Sequence, residues 1–225
     1  MQRRAVLIFA DNLGVDLARR GLPCAARDLF RSHEQAARVS GADVHLFTTW
    51  TAAGGSRVHA QSGVGFGERL ENAIETLAAR GYEEIVAIGR DCPELSAADV
   101  SCAFAQLAGK RLVLGPDHRG GCYLIALRSS DRDLVRGIRW KRNTDCAQLG
   151  DRCDAGEVFL LRVKQDVDSW ADLKLLARGG DRLGQIAARL LRSSSGFAHS
   201  LNGFVDLAAA HLRVRWQMPP PRLAS

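Results

Sequence analysis

The sequence has no uninterrupted apolar stretch near the roughly 18 residues that a membrane span requires. Its first apolar run, Ala5 to Ala10, stops at Asp11 and offers no small-residue cleavage site, so neither a membrane span nor an export signal is expected, and the expected compartment is the cytoplasm. Cysteine is thinly scattered as Cys24, Cys92, Cys102, Cys122, Cys146 and Cys153, with no Cys-x-x-Cys pair. That excludes a disulfide framework and the usual zinc sites, and reduced thiols are expected. Aromatic residues make up only 6% of the chain, and there is no helix-turn-helix, zinc finger or aromatic-and-basic ribbon to read bases. Lysine is also scarce, confined to Lys110, Lys141, Lys164 and Lys174, so the net charge of +6 and the pI near 9.3 come from arginine. An arginine excess suits a protein that handles phosphate groups, and it leaves a basic nucleic-acid binder as an alternative.

What remains is a chain of 225 residues with 46% hydrophobic content, enough for one sizeable core. The runs Ala5–Ala10, Val44–Thr48, Ile85–Gly89, Arg111–Gly115 and Tyr123–Leu127 are apolar almost throughout, the pattern of strands covered on both faces, and Val158–Val163 supplies a late strand. Helical spacing falls between them, over Ala25–Val39, Glu68–Arg80, Ala97–Leu107 and Ser169–Ala177, with Trp50–Gly67 read as a glycine-rich loop. The alternation predicts an α/β fold: a Rossmann-like three-layer α/β/α sandwich on a mostly parallel sheet. Beyond Gly179-Gly180 the composition changes, which predicts a domain over residues 1–178 and a small helical appendage over 179–225. The appendage would hold helices near Leu183–Leu191 and Leu201–Val214, a break at Ser193–Gly196 and a tail at Pro219-Pro220-Pro221.

Several segments carry candidate chemistry. Asp91, in Gly89-Arg90-Asp91-Cys92-Pro93-Glu94-Leu95, stands at the carboxyl end of a buried strand, where open α/β sheets bind ligands. Its carboxylate could hold Mg²⁺, or it could cap a helix. Ser96 and Asp99 have the spacing of a helix N-cap. In Asp166-Val167-Asp168-Ser169 alternate residues point the same way, and either a metal role or capping by Ser169 with Asp172 fits. Gly63-Val64-Gly65-Phe66-Gly67 precedes a helix and could admit a phosphate, or could be a plain surface loop. Gly120-Gly121 permits close approach by a sugar or phosphate that Arg119 could pair with. The basic stretch Arg132, Arg136, Arg139, Lys141 and Arg142 around Trp140 reads as an anionic-acceptor clamp or a solvated face.

Four blocks together carry a resemblance: Gln61 with Gly67-Glu68-Arg69-Leu70-Glu71-Asn72-Ala73; Gly81-Tyr82 through Asp91-Cys92-Pro93-Glu94-Leu95; Val113-Leu114-Gly115-Pro116 through Gly120-Gly121-Cys122-Tyr123-Leu124; and Asp166-Val167-Asp168. In this order they resemble a bacterial family of glycosyltransferase-like proteins, formerly a domain of unknown function and also described as arsenosugar-biosynthesis-type. That family is related to the molybdenum-cofactor and 2-phospho-lactate guanylyltransferases. The resemblance implies a nucleotide-diphospho-sugar transferase fold of GT-A type and a Mg²⁺- or Mn²⁺-dependent transferase acting on a nucleotide or nucleotide-sugar and a small-molecule acceptor. Asp91 and Arg119 are the expected catalytic residues and Asp91 and Asp168 the expected metal ligands. Asp11, Arg19, Arg20, Gly65, Gly67, Arg69, Gly120 and Gly121 are expected around the nucleotide. The chain departs from the family in two places. It has Asp11 to Leu22 where the family has Lys-x-Pro-x-Pro-Gly running into Lys-Thr-Arg-Leu, so that Arg19 or Arg20 would have to replace the lysine charge. It also has Arg119-Gly120-Gly121-Cys122-Tyr123 where the family has Asp-Gly-Gly-Tyr-Tyr. A relative that keeps the fold as a binding or assembly module is the alternative these departures raise.

Overall fold

The computed structural model describes residues 2–11, 13–22, 26–30, 32–39, 41–49 and 57–192. The expected helix Leu201–Val214, the Ser193–Gly196 break, the proline tail, Cys24 and residues 50–56 of the glycine-rich loop lie outside them. Seven strands form one sheet: β1 (Arg4–Phe9), β2 (Asp43–Thr48), β3 (Val58–Ala60), β4 (Glu84–Ile88), β5 (Leu112–Pro116), β6 (Cys122–Arg128) and β7 (Val158–Leu160), in the order β3-β2-β1-β4-β6-β5-β7. All run parallel except β6, which lies antiparallel between β4 and β5.

The apolar strands are explained by what covers them. Successive side chains of a strand point to opposite faces. Leu7, Ile85, Ala87, Leu114 and Ile125 pack on one side against Leu70, Ala73, Ile74 and Leu77 of α4 (Gly65–Ala79) and against Leu134 and Val135 of a 3₁₀ segment, Ser129–Val135. Val6, Ile8, Val86, Ile88, Val113 and Leu124 pack on the other against Val100, Ala103 and Phe104 of α5 (Ala97–Gln106) and against Ala37. This is the three-layer α/β/α sandwich on a mostly parallel sheet. Each fully buried leucine in these layers contributes about 2 kcal/mol of transfer free energy.

The helices before α4 differ in part from the sequence reading. The segment after β1, for which the sequence indicated no helix, contains α1 (Leu13–Arg19). Within the helix expected over Ala25–Val39 the described residues include α2 (Arg27–Phe30) and α3 (Ser32–Val39). The edge strand β3, inside the expected loop, exists through its pairing with β2, Phe47 opposite His59. The late strand ends at Leu160, and a single bridge, Asp117 with Lys164, continues its direction. Two further helices, α6 (Asp145–Gly150) and α7 (Trp170–Leu176), complete the named elements, α7 capped by Ser169 as the sequence indicated. Residues 182–192 are helical, and Ala187 and Leu190 there join Leu17, Leu22, Leu29, Phe30, Val167, Leu173 and Leu176 in a third apolar cluster. Among the described residues no helix is long and apolar enough to cross a membrane.

Candidate functional site

The carboxyl ends of the parallel strands deliver the chemistry. Asp91 follows β4, Asp117 follows β5, and Asp166 follows the extension of β7. Asp91 needs room: a Cβ on Gly89 would stand 2.5 Å from its Oδ1. The turn that carries it is fixed from below. Leu95 donates its N–H to the Cys92 carbonyl at 3.1 Å, and Ser96 and Asp99 form a reciprocal capping box at the start of α5. Buried Lys164 donates to the Glu94 carbonyl at 2.9 Å and pairs with the Asp99 carboxylate. The Val167 N–H donates to the Asp91 carbonyl at 2.7 Å, which brings the Asp166–Asp168 segment alongside.

The two aspartates of that segment differ in environment. Asp168 is exposed and engaged by arginines: Arg119 Nη1 at 3.1 Å from its Oδ2, and Arg20 Nε at 3.9 Å from its Oδ1. Asp166 is 6% exposed, and its Oδ1 is buried with no hydrogen-bond partner. Burial, then the negative charges of Asp91, Asp117 and Asp168, push the Asp166 carboxyl up to about 9. Asp117 is held by its own loop, its Oδ1 accepting the N–H groups of Arg119 at 2.6 Å and Gly121 at 3.0 Å. Asp166 and Asp117 are therefore members of the site that the sequence reading left out. The Asp-x-Asp spacing signalled Asp166, but nothing in it said which aspartate would be the buried one.

These carboxylates face a cavity of about 440 Å³ whose wall includes Phe9, Arg19, Arg20, Phe66, Trp140, Lys141, Asn143 and Asp145. A second hollow of about 240 Å³ adjoins it, lined by Asp11, Gln61, Gly65, Arg69 and Arg90, and the two share Phe9, Asp16, Arg19, Arg20, Phe66, Asp91 and Lys141.

Of the expected nucleotide residues, Arg19 and Arg20 line both hollows, while Asp11, Gly65 and Arg69 line the smaller one. Asp11 is committed to the protein: it accepts from Arg19 Nη1 at 2.7 Å and from the Thr49 hydroxyl, and these bonds hold its carboxyl below the usual range despite its burial. Gly65 has φ +77 and open space around it, as a turn opening a helix requires, but the helix start is already covered by Glu68, which accepts the Val64 N–H at 2.9 Å. Gly67 and Gly120 serve internal packing. A Cβ on Gly67 would strike the Trp140 indole, and one on Gly120, at φ +99, would strike the Asn143 carbonyl. Gly121 lines the larger cavity and leaves room for the Asp117 carboxylate. Arg119 lies outside both hollows, its guanidinium bound to Asp168 and Asp172. Cys122, where the family has tyrosine, lines the larger cavity. In the basic stretch, Arg132 and Arg136 pair with Glu75, and Lys141 is the member that reaches the cleft.

A cleft at the carboxyl edge of a mostly parallel sheet, with carboxylates on its floor and arginines on one wall, defines the class: the fold is that of the nucleotide-diphospho-sugar transferases. The chain belongs to the bacterial family DUF2064, described as uncharacterized proteins conserved in bacteria, whose profile matches residues 17–142. A crystal structure from Desulfovibrio desulfuricans G20, assigned as a nucleotide-diphospho-sugar transferase, is similar at TM-score 0.68 and 24% identity over 89% of this chain and 98% of that one. Rv0371c from Mycobacterium tuberculosis H37Rv, solved as a manganese complex, is similar at 0.55 and 15% identity over 77% and 97%. The 4-diphosphocytidyl-2C-methyl-D-erythritol synthase of Anaerococcus prevotii is similar at 0.55 and 11% identity over 84% and 96%. No curated protein matches the sequence.

Proposed function

We propose that this protein is a divalent-cation-dependent transferase acting on a nucleotide or nucleotide-sugar, the nucleotide lying in the smaller hollow and the acceptor in the larger. The observation that carries the reading is the buried Asp166 carboxyl, with one oxygen unpartnered and Asp91 beside it at the junction of the hollows. Crowded carboxylates with an orphaned oxygen are the surroundings a cation relieves. Mg²⁺ and Mn²⁺ are commonly held by one or two carboxylates and completed by water and phosphate oxygens. Asp91 and Asp166 are the fitting ligands. Asp168, expected from the sequence, is occupied by Arg20 and Arg119. The cation when bound neutralises diphosphate charge.

The chain's own residues supply the rest. Arg20, fixed through its Nη1 to the Val167 carbonyl at 3.1 Å, and Arg19, fixed to Asp11, present positive charge to the cleft without having to reorganise. Phe9, Phe66 and Trp140 form an apolar wall, with Phe9 and Phe66 edge to face at 5.3 Å. The fold neighbours support nucleotide chemistry by analogy of architecture.

Thermal-shift titration of the wild type with UTP, CTP, GTP, UDP-glucose and GDP-mannose, with and without Mn²⁺, tests the reading. The expected result is a rise in melting temperature with at least one of them, larger with Mn²⁺ and abolished in Asp91→Asn. A folded protein that none of them shifts would sink it. Metal-dependent binding with no turnover of any donor would instead support the non-catalytic alternative.

A further inference from the structure

The family's first-loop lysine is missing from this chain, and the arginines nearest its place are partly committed to carboxylates and carbonyls. Lys141 is placed differently. It belongs to the loop between the 3₁₀ segment and α6, and it lines both hollows at the point where they meet, as do Arg19, Arg20 and Asp91. Its Nζ stands 4.8 Å from the centroid of the Phe66 ring, and among the described residues no carboxylate lies within ion-pairing distance of it.

The backbone that places it there is unusual. Lys141 and Asn143 both have positive φ, 60 and 58, a region that side-chain-bearing residues visit at a cost and that clusters at functional sites. The surroundings hold them in it. The Asp145 carboxylate, 8% exposed, accepts the N–H of Lys141 at 3.1 Å and that of Arg142 at 3.4 Å, and the Asn143 backbone packs on Gly120 where no Cβ could fit. The loop thus sets the Lys141 ammonium over the Phe66 wall of the cleft, whereas Arg139 and Arg142, exposed like Lys141 itself, line neither hollow.

Resting on the nucleotide reading above, we infer that Lys141 is the phosphate-binding lysine of this protein. It takes a di- or triphosphate chain where the two hollows join, in the cleft that Asp91 lines in both hollows and Asp166 in the larger. A compact ammonium suits that role as a point charge that several phosphate oxygens can share. The residue recognises the phosphate chain and not the base, so inorganic pyrophosphate is bound by the same contact.

The test is calorimetric titration of the full chain with Mn²⁺-pyrophosphate and with UTP, CTP and GTP in the presence of Mn²⁺. Wild type, Lys141→Gly, Lys141→Arg and Arg142→Ala are compared, and Mn²⁺ alone is titrated as well. Glycine accepts the φ of 60, so Lys141→Gly removes the charge without straining the loop and should melt no lower than wild type. The expected result is a loss of about tenfold or more in affinity for pyrophosphate and the bound nucleotide in Lys141→Gly, consistent with one charged hydrogen bond. Substantial recovery is expected in Lys141→Arg, with little change in Arg142→Ala or in Mn²⁺ binding alone. If the wild type binds and Lys141→Gly binds equally well, or if Arg142→Ala loses as much, the inference is overturned while the nucleotide reading stands. If the wild type binds none of the probes, both fall together.

Discussion

Asp166 is the residue on which the candidate site turns, and its protonation gives it a measurable signature. Unfolded, its carboxyl titrates near the ordinary 3.8; folded, burial and neighbouring carboxylates push it up to about 9. The folded state therefore holds an extra proton between those values. Its contribution to stability is greatest below about pH 4 and is lost as pH rises toward about 9. Asp166→Asn keeps the shape and removes the titration, so the metal-free variant should lose less stability than wild type between pH 6 and 9 in urea titrations (pH values roughly spanning the upper part of that window). A variant that follows the wild-type slope would show that Asp166 is not the group responsible. The sequence made Asp91 legible, because a carboxylate after a buried strand has few other places to go. It left Asp166 and Asp168 unresolved, because the choice depends on Arg20 and Arg119, which reach Asp168 from positions 148 and 49 residues away. Arg119, read as a ligand contact, is bound to Asp168 and Asp172 for the same reason: ion pairing across the fold is invisible to local pattern.

At the scale of elements, continuous apolar runs identified most of the sheet, because strands covered on both faces need no alternation. Elements made by pairing and not by composition were hidden. β3 is three residues long, Val58-His59-Ala60, and owes its existence to β2. α1 carries one fully buried apolar side chain among those described, Leu17, which is too little to set a helical period. The start of α5 was legible, since Ser96 and Asp99 have capping spacing and the reciprocal bonds are present. Ser96→Ala should cost about 1 kcal/mol in a denaturant titration. Lys164 ties the same cap to the turn that follows β4, so the substitution should also weaken Mn²⁺ binding, read by calorimetry. Loss of stability with unchanged metal affinity would show that the turn does not depend on the cap.

Across the whole molecule, opposing titrations combine. Burial holds His33 and His45 neutral, each lowered to about 4. Each is a base with a depressed folded value, so its stabilising contribution is present above about pH 6.5 and is lost as pH falls toward about 4. Asp166 works the other way. Below about pH 6.5 the two histidines outweigh the one carboxyl, and above it the carboxyl acts without them. His33→Gln should flatten the acid side in a series of melting curves, and an unchanged acid limb would remove His33 from the account.

The third apolar cluster has a mechanical consequence. Helix 182–192 contributes Ala187 and Leu190 to the cluster that also holds Leu17, two residues before Arg19, and Val167, which sits between Asp166 and Asp168. Both banks of the cleft thus rest on one abutment near the end of the described chain. A protein shortened to residue 178 would retain its sheet, and circular dichroism should show it folded. It should still lose ligand affinity, because the arginine bank and the carboxylate bank would no longer be held at a fixed span.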